Sequence, residues 1–387
     1  MKILAVLTYY RPHVSGLTIY VERLVRALAT RGHEVTVLTS HYDPSLPREE
    51  MIDGVRIVRV PVAFRLSKGV IMPTFGLYST RLVRDTDVIS AHLPQFDAWG
   101  IALRGRLFGK PCVLTYHCDL ELPAGTLNRV IDQTTFVANY VAATAADKIV
   151  AYTQDYADHS RLLRRFKRKI EVILPPVPML VPTESEVEQF KQAHGLEGRP
   201  VLGMAARFAT EKGVEVLLNA APLIEQRFPD YKVLFAGPYK DIPGEEDYRA
   251  RLFPRVEAMG GHWEFLGTLA PAEMPAFYGS LDALLVPSVN MTESFGLVQV
   301  EAMLCGTPVV ASNLPGVRQP VQLTGMGEVI PVGDSAALAE AVGRILSQPD
   351  RYERPSADIA AMFGLDQTVD SYERLFEAQL AKRRHHV

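Results

Sequence analysis

Pro287-Ser288-Val289-Asn290-Met291-Thr292-Glu293-Ser294-Phe295-Gly296-Leu297-Val298-Gln299-Val300-Glu301-Ala302-Met303-Leu304-Cys305-Gly306-Thr307-Pro308 is the stretch that decides the fold. Apolar runs flank it, Ala283–Val286 before and Pro308–Ala311 after, and both read as short buried strands. Between them the order is polar loop, helix from Gly296 to Cys305, and glycine stop. Glu293 precedes the helix N-terminus, and Glu301 falls inside the helix among Val298, Val300, Ala302 and Met303. The N–H groups of Phe295, Gly296 and Leu297 are predicted to form an anion cradle, because the first amides of a helix lack intrahelical partners. An ionised carboxylate only accepts hydrogen bonds, so each glutamate suits a pair of neighbouring hydroxyls on a sugar or ribose. The plainer reading makes Glu293 a residue favoured by the helix dipole and Glu301 a solvent-facing one. It leaves Glu301 unexplained amid apolar neighbours.

Outward from this unit the same alternation recurs. On the C-terminal side of the chain, strands are expected at Val201–Ala205, Lys232–Ala236, Trp263–Leu266 and Glu328–Pro331, with helices near Val214–Phe228, Glu246–Met259 and Ala336–Leu346. In the first half, Ile3–Leu7, Glu34–Ser40, Val55–Val60, Asp87–Ala91, Cys112–His117, Lys148–Tyr152 and Glu171–Leu174 read as strands. A helix carrying Val21, Leu24, Val25 and Leu28 follows the first of them and stops at Gly32. Alternating strand and helix signals mean parallel sheets covered on both faces. Pro175, Pro176, Pro178 and Pro182 interrupt the pattern as a linker, since proline cannot sit inside a helix or central strand. The expectation is an α/β protein of two doubly wound, Rossmann-like domains, residues 1–176 and 183–365, facing across a cleft. A last helix, 366–387, is expected to pack back on the first domain. Ligands in such sheets lie beyond the carboxyl ends of the strands.

The 387 residues suit two domains, and 48% hydrophobic with 22% charged residues is ordinary for a globular chain. A net charge of −3 argues against nucleic acid as the main partner. Three scattered cysteines, Cys112, Cys118 and Cys305, give neither a disulfide framework nor a zinc site. The run Ile3–Leu7 is too short for a signal peptide, and no apolar stretch approaches the ~20 residues of a membrane span. A cytoplasmic protein is expected.

Two further loops carry chemistry. Arg11-Pro12-His13-Val14-Ser15-Gly16 joins a strand to a helix, where a glycine lets backbone amides approach a phosphate. It lacks the three-glycine dinucleotide fingerprint, and a plain turn glycine explains it as well. Arg207-Phe208-Ala209-Thr210-Glu211-Lys212-Gly213 also lies between a strand and a helix, and its two cations suit a diphosphate. A solvated loop with two ordinary charges is the even alternative.

With these residues in view, the chain resembles the retaining glycosyltransferases of the two-Rossmann-domain, GT-B type, family four. The resemblance runs nearly end to end. It covers Ser15-Gly16 with Arg31-Gly32-His33-Glu34-Val35-Thr36-Val37, the Arg207/Lys212-Gly213 loop, and Glu293 with Glu301 followed by Gly306-Thr307-Pro308-Val309-Val310-Ala311. It implies that Glu301 binds the donor ribose, Glu293 the transferred sugar, and Arg207 and Lys212 the leaving diphosphate. The amides of Gly16, Phe295, Gly296 and Leu297 complete the cradle, and His117 lies beside the donor sugar. It also implies a hexose moving from a nucleoside-diphosphate sugar to a lipid or glycan acceptor with retention, without cofactor. Ser15 stands where relatives often have a glycine, and Pro175-Pro176 replaces their Asn-Gly near the hinge. Asp119-Leu120-Glu121 resembles a metal-carrying acidic pair of the other transferase fold, but two cations make a metal unnecessary, and none is expected. A sugar-nucleotide epimerase or phosphorylase on the same fold, and a non-catalytic binder, are the rival readings.

Arg161, Arg164, Arg165, Lys167, Arg168 and Lys169 form a basic cluster. The spacing of Arg161, Arg164, Arg165 and Arg168 predicts one basic face of a helix, with Leu162, Leu163 and Phe166 on the other, suited to an anionic membrane surface. A solvated basic face or a grip on a soluble anionic acceptor fits equally. The apolar stretch Val70-Ile71-Met72-Pro73-Thr74-Phe75 is expected to form a greasy acceptor entrance.

Overall fold

The computed structural model describes residues 1–66, 69–121, 125–242 and 244–384. The chain falls into two compact units, Met1–Pro176 with Gly364–Val387, and Val177–Phe363.

In the first unit the strands are β1 (Lys2–Val6), β2 (Glu34–His41), β3 (Glu49–Ile52), β4 (Val55–Pro61), β5 (Phe64–Leu66), β6 (Gly69–Ile71), β7 (Val88–Leu93), β8 (Cys112–Tyr116), β9 (Lys148–Ala151) and β10 (Ile170–Val172). Eight of them form one sheet in the order β10-β9-β8-β7-β1-β2-β4-β3, and β5 and β6 make a separate hairpin. Only the edge strand β3 runs antiparallel in the large sheet. The helices are α1 (Gly16–Thr30), α2 (Phe75–Asp85), α3 (Ala98–Leu107), α4 (Thr126–Ala145) and α5 (Gln154–His159). Residues of β1, β7 and β8 are almost wholly buried, as strands covered on both faces must be. Ser15 starts α1 by accepting the Thr18 N–H at 3.2 Å, and Tyr20, Val21, Leu24, Val25 and Leu28 turn inward from it. The helix stops where Gly32 takes φ +86°, a left-handed conformation that glycine adopts without strain.

The second unit holds the strands β11 (Val201–Ala205), β12 (Lys232–Ala236), β13 (Trp263–Gly267), β14 (Ala283–Val286), β15 (Val309–Ser312) and β16 (Gly327–Ile330). They form one parallel sheet in the order β13-β12-β11-β14-β15-β16. Its helices are α6 (Glu184–His194), α7 (Val214–Glu225), α8 (Glu246–Ala258), α9 (Met274–Gly279), α10 (Leu297–Leu304), α11 (Gln319–Thr324), α12 (Ser335–Ser347) and α13 (Ser356–Phe363). Strand order reverses between β11 and β14, and that reversal point is where open α/β sheets bind ligands.

The last helix, α14 (Leu365–Arg384), returns to the first unit and packs on α1. Arg31 pairs with Asp366, Asp370 and Glu373, which lie on one face of α14, and His33 meets Glu373 at 2.7 Å. Inside, the Tyr372 hydroxyl bonds those of Tyr20 and Thr115, each at 2.8 Å. The Arg31-Gly32-His33 segment therefore works as an anchor for the C-terminal helix.

Two expectations are overturned. The basic segment is not an α-helix: it breaks into two 3-10 turns, Leu163–Arg165 and Lys167–Lys169. Arg161 pairs with Asp132 at 2.9 Å and lies over the Phe136 ring, while Lys167 pairs with Asp158. Lys169 donates to the carbonyls of Ala143, Thr144 and Ala146, closing the end of α4. Without a continuous helix the predicted helical face carrying Arg161, Arg164, Arg165 and Arg168 does not form, while Leu162 and Leu163 are buried. Second, Val70, Met72 and Phe75 are buried in β6 and the start of α2, so they serve the core rather than an entrance. Among the described residues no helix is long and apolar enough to cross a membrane.

Candidate active site

In the second unit the loops after β11 and β14 meet backbone to backbone. A Cβ on Gly213 would stand 2.1 Å from the Pro287 carbonyl oxygen, and Gly213 has φ +66°. The Val289 N–H donates to the Glu211 carbonyl at 3.0 Å. Gly213→Ala should therefore push the two loops apart, lowering stability by roughly 1–3 kcal/mol. A melting temperature unchanged from the parent protein would contradict this account.

That close approach brings Lys212 onto Glu293 as an ion pair. Glu293 also accepts the Gly296 N–H at 3.0 Å, so its carboxylate is held by a cation and by the helix N-terminus at once. Gly296 has φ +77° and precedes α10, which aims the backbone there at the loop. Phe295 buries its ring against Phe363, with 5.9 Å between ring centroids, and so anchors the backbone that carries these amides. Leu297 is the first residue of α10. Of the predicted cradle, the Gly296 amide is thus engaged by the chain's own carboxylate.

Arg207 pairs with Glu211 at 2.6 Å and is about half exposed. Its loop is tied down by Phe208, wholly buried, and by Glu245, which accepts the Thr210 N–H at 2.9 Å and its hydroxyl at 2.7 Å. Glu301 lies on α10, and one of its oxygens accepts the Tyr278 hydroxyl at 2.9 Å. Sequence reasoning gave Glu301 no protein partner, because Tyr278 is 23 residues away and comes from another helix.

In the first unit His117 follows directly on β8. Its Nε2 pairs with His92 Nδ1 at 3.0 Å, and its Nδ1 pairs with the Tyr152 hydroxyl. The Tyr20 ring meets its face edge-on, with centroids 5.0 Å apart. Burial pushes the His92 pKa down to about 3, and burial with His92 alongside pushes His117 well below the ordinary histidine range. Both rings are neutral at physiological pH, so His117 adds no cation. His92 and Tyr152 were missed from sequence, although a histidine inside the buried run of β7 was the available signal.

Gly16 opens α1, and a Cβ there would meet nothing within 4 Å. Ser15, beside it, spends its hydroxyl on capping the helix. Asp119 accepts the Tyr116 and Ser160 hydroxyls at 2.7 and 2.8 Å and the Arg161 N–H at 3.1 Å. It anchors the loop after β8. No cluster of three or more potential metal-ligating side chains occurs among the described residues.

The second of the two doubly wound α/β domains thus carries a cation-held glutamate at a helix N-terminus. Residues 186–360 match the family described as Glycosyl transferases group 1, and residues 14–179 match Glycosyltransferase Family 4. The chain belongs to the family-four glycosyltransferases of GT-B type. It is 30% identical to 2-deoxystreptamine glucosyltransferase of Streptomyces kanamyceticus, over 86% of this chain and 90% of that one. It is 28% identical to phosphatidyl-myo-inositol mannosyltransferase of Mycobacterium leprae, over 94% and 92%. A crystal structure of Anabaena HepE in complex with UDP shares the fold, with TM-score 0.79, 20% identity and coverage of 98% and 100%.

Proposed function

We propose that this glycosyltransferase moves a hexosyl group from a nucleoside-diphosphate sugar to a hydroxyl of a cyclitol ring, free or lipid-borne, with retention of configuration. The observation that carries the reading is the Lys212–Glu293–Gly296 arrangement at the start of α10. It joins a cation, a helix N-terminus and a hydroxyl-accepting carboxylate within one loop pair, which is what a sugar diphosphate demands.

In the reaction the bond from sugar C1 to the diphosphate oxygen breaks while the acceptor oxygen bonds C1 on the same face. The departing phosphate oxygen takes the acceptor's proton. Arg207 and Lys212 stabilise the negative charge that grows on the leaving group, the part a divalent cation would otherwise fill. Glu293, fixed by Lys212 and Gly296, holds hydroxyls of the transferred sugar, and Glu301 holds the ribose. The amides of Phe295 and Leu297 are further donors toward the diphosphate. A cyclitol acceptor is supported by three relatives whose names carry one: 2-deoxystreptamine, phosphatidyl-myo-inositol and D-inositol 3-phosphate.

The test is incubation of UDP-, GDP- and ADP-hexoses with 2-deoxystreptamine, myo-inositol, inositol 3-phosphate or phosphatidylinositol vesicles. Nucleoside diphosphate release with one acceptor is expected, and the choice among them separates soluble from lipid-borne rings. An α-linked donor should give an α-glycoside by NMR. A β-glycoside would overturn retention, and no release with any cyclitol would overturn the acceptor class.

A further inference from the structure

Glutamate is a flexible ligand: three side-chain torsions separate its carboxylate from the backbone, and freezing them costs entropy on binding. Glu301 sits on an eight-residue helix, one turn from its end. Its carboxylate is met by a hydroxyl from α9, a different helix, at 2.9 Å. Tyr278, which supplies that hydroxyl, is wholly buried. Two contacts hold it in place. The Thr307 hydroxyl donates to the Tyr278 carbonyl at 2.6 Å, and the Phe277 ring lies 5.2 Å from the Tyr278 ring. Thr307 follows the glycine stop of α10, so the segment just beyond one helix holds the tyrosine of the other.

We propose that Tyr278 is a positioning residue for nucleotide recognition, holding the Glu301 carboxylate in the orientation that accepts a ribose diol. This rests on the reading that Glu301 binds the ribose. A carboxylate has about four acceptor sites, so a bond from tyrosine is compatible with binding a diol. A rigid donor on one oxygen fixes the plane of the carboxylate, and with it the directions of the remaining lone pairs. At metal sites, the analogous second partners commonly alter affinity by about tenfold or more when lost. Tyrosine suits the task because its ring is held by packing and its donor lies at the end of a stiff lever.

The experiment is calorimetric binding of UDP, GDP and ADP, followed by the 2′,3′-dideoxy form of whichever binds most tightly. The parent protein should prefer the ribonucleotide. Tyr278→Phe keeps the buried ring and removes only the hydroxyl. It should weaken ribonucleotide binding roughly tenfold, leave the dideoxy affinity within about twofold, and leave kcat at saturating donor within about twofold. Adding Tyr278→Phe to Glu301→Gln should cost little beyond Glu301→Gln alone, since both act through one contact. Equal weakening of both nucleotides would make Tyr278 a purely structural residue and overturn the proposal, and so would unchanged binding of both. If the parent protein itself ignores the ribose hydroxyls, the Glu301 reading falls first and the proposal falls with it.

Discussion

Lys212→Ala should lower kcat by roughly two to three orders of magnitude, the usual effect of deleting one preorganised group that meets developing charge. The structure makes the expectation sharper than a cation count would. Lys212 and Glu293 are an ion pair, each only about a fifth exposed, and so is less screened than a surface pair. Its removal takes charge from the leaving diphosphate and also frees Glu293 to turn toward the Gly296 amide alone. Arg207→Ala should cost less, because Arg207 is about half exposed and already shares its charge with Glu211. Single-turnover release of nucleoside diphosphate measures the chemical step directly. A variant in which only the acceptor KM moved would remove Lys212 from the leaving-group role.

Glu301→Ala should weaken nucleotide binding about a hundredfold, from the loss of charge-assisted hydrogen bonds of roughly 1.5–3 kcal/mol each. The same change removes the acceptor of the Tyr278 hydroxyl bond, and losing a buried hydrogen bond costs about 0.5–1.5 kcal/mol. The melting temperature should fall by several degrees as well. Glu301→Gln separates the two effects, because an amide oxygen still accepts from Tyr278 while the charge is gone. Calorimetry and thermal unfolding on both variants check this. Nucleotide affinity unchanged in Glu301→Ala would end the ribose assignment.

Much of the fold was legible because each buried parallel strand announces itself locally. Val201–Ala205, Lys232–Ala236 and Ala283–Val286 are strands over the same residues that their apolar runs suggest. The predicted Pro308–Ala311 moves by one residue to Val309–Ser312. The edge strand β3 escaped notice because it is largely exposed and lacks an apolar run, pairing only with β4. The basic segment misled for a related reason. Its helical spacing was genuine, but Lys169 gains more by closing α4 and Arg161 by meeting Asp132 than either would on a regular helix.

The sequence by itself determined the alternation of strand and helix, hence two parallel sheets, and it placed Arg207, Lys212 and Glu293 in loops between strand and helix and Glu301 inside a helix. Those are local properties, written in hydrophobic periodicity and in glycine positions within a few residues. Only the tertiary structure decided which of these groups meet. Lys212 reaches Glu293 across 81 residues because Gly213 lets the β11 and β14 loops touch, and Tyr278 reaches Glu301 because α9 and α10 pack together. His117 is held neutral by burial in the core first and by His92, which β7 places against it, second. Contact between distant residues depends on how the sheet orders its strands, and strand order is set by packing of the whole domain rather than by any one segment.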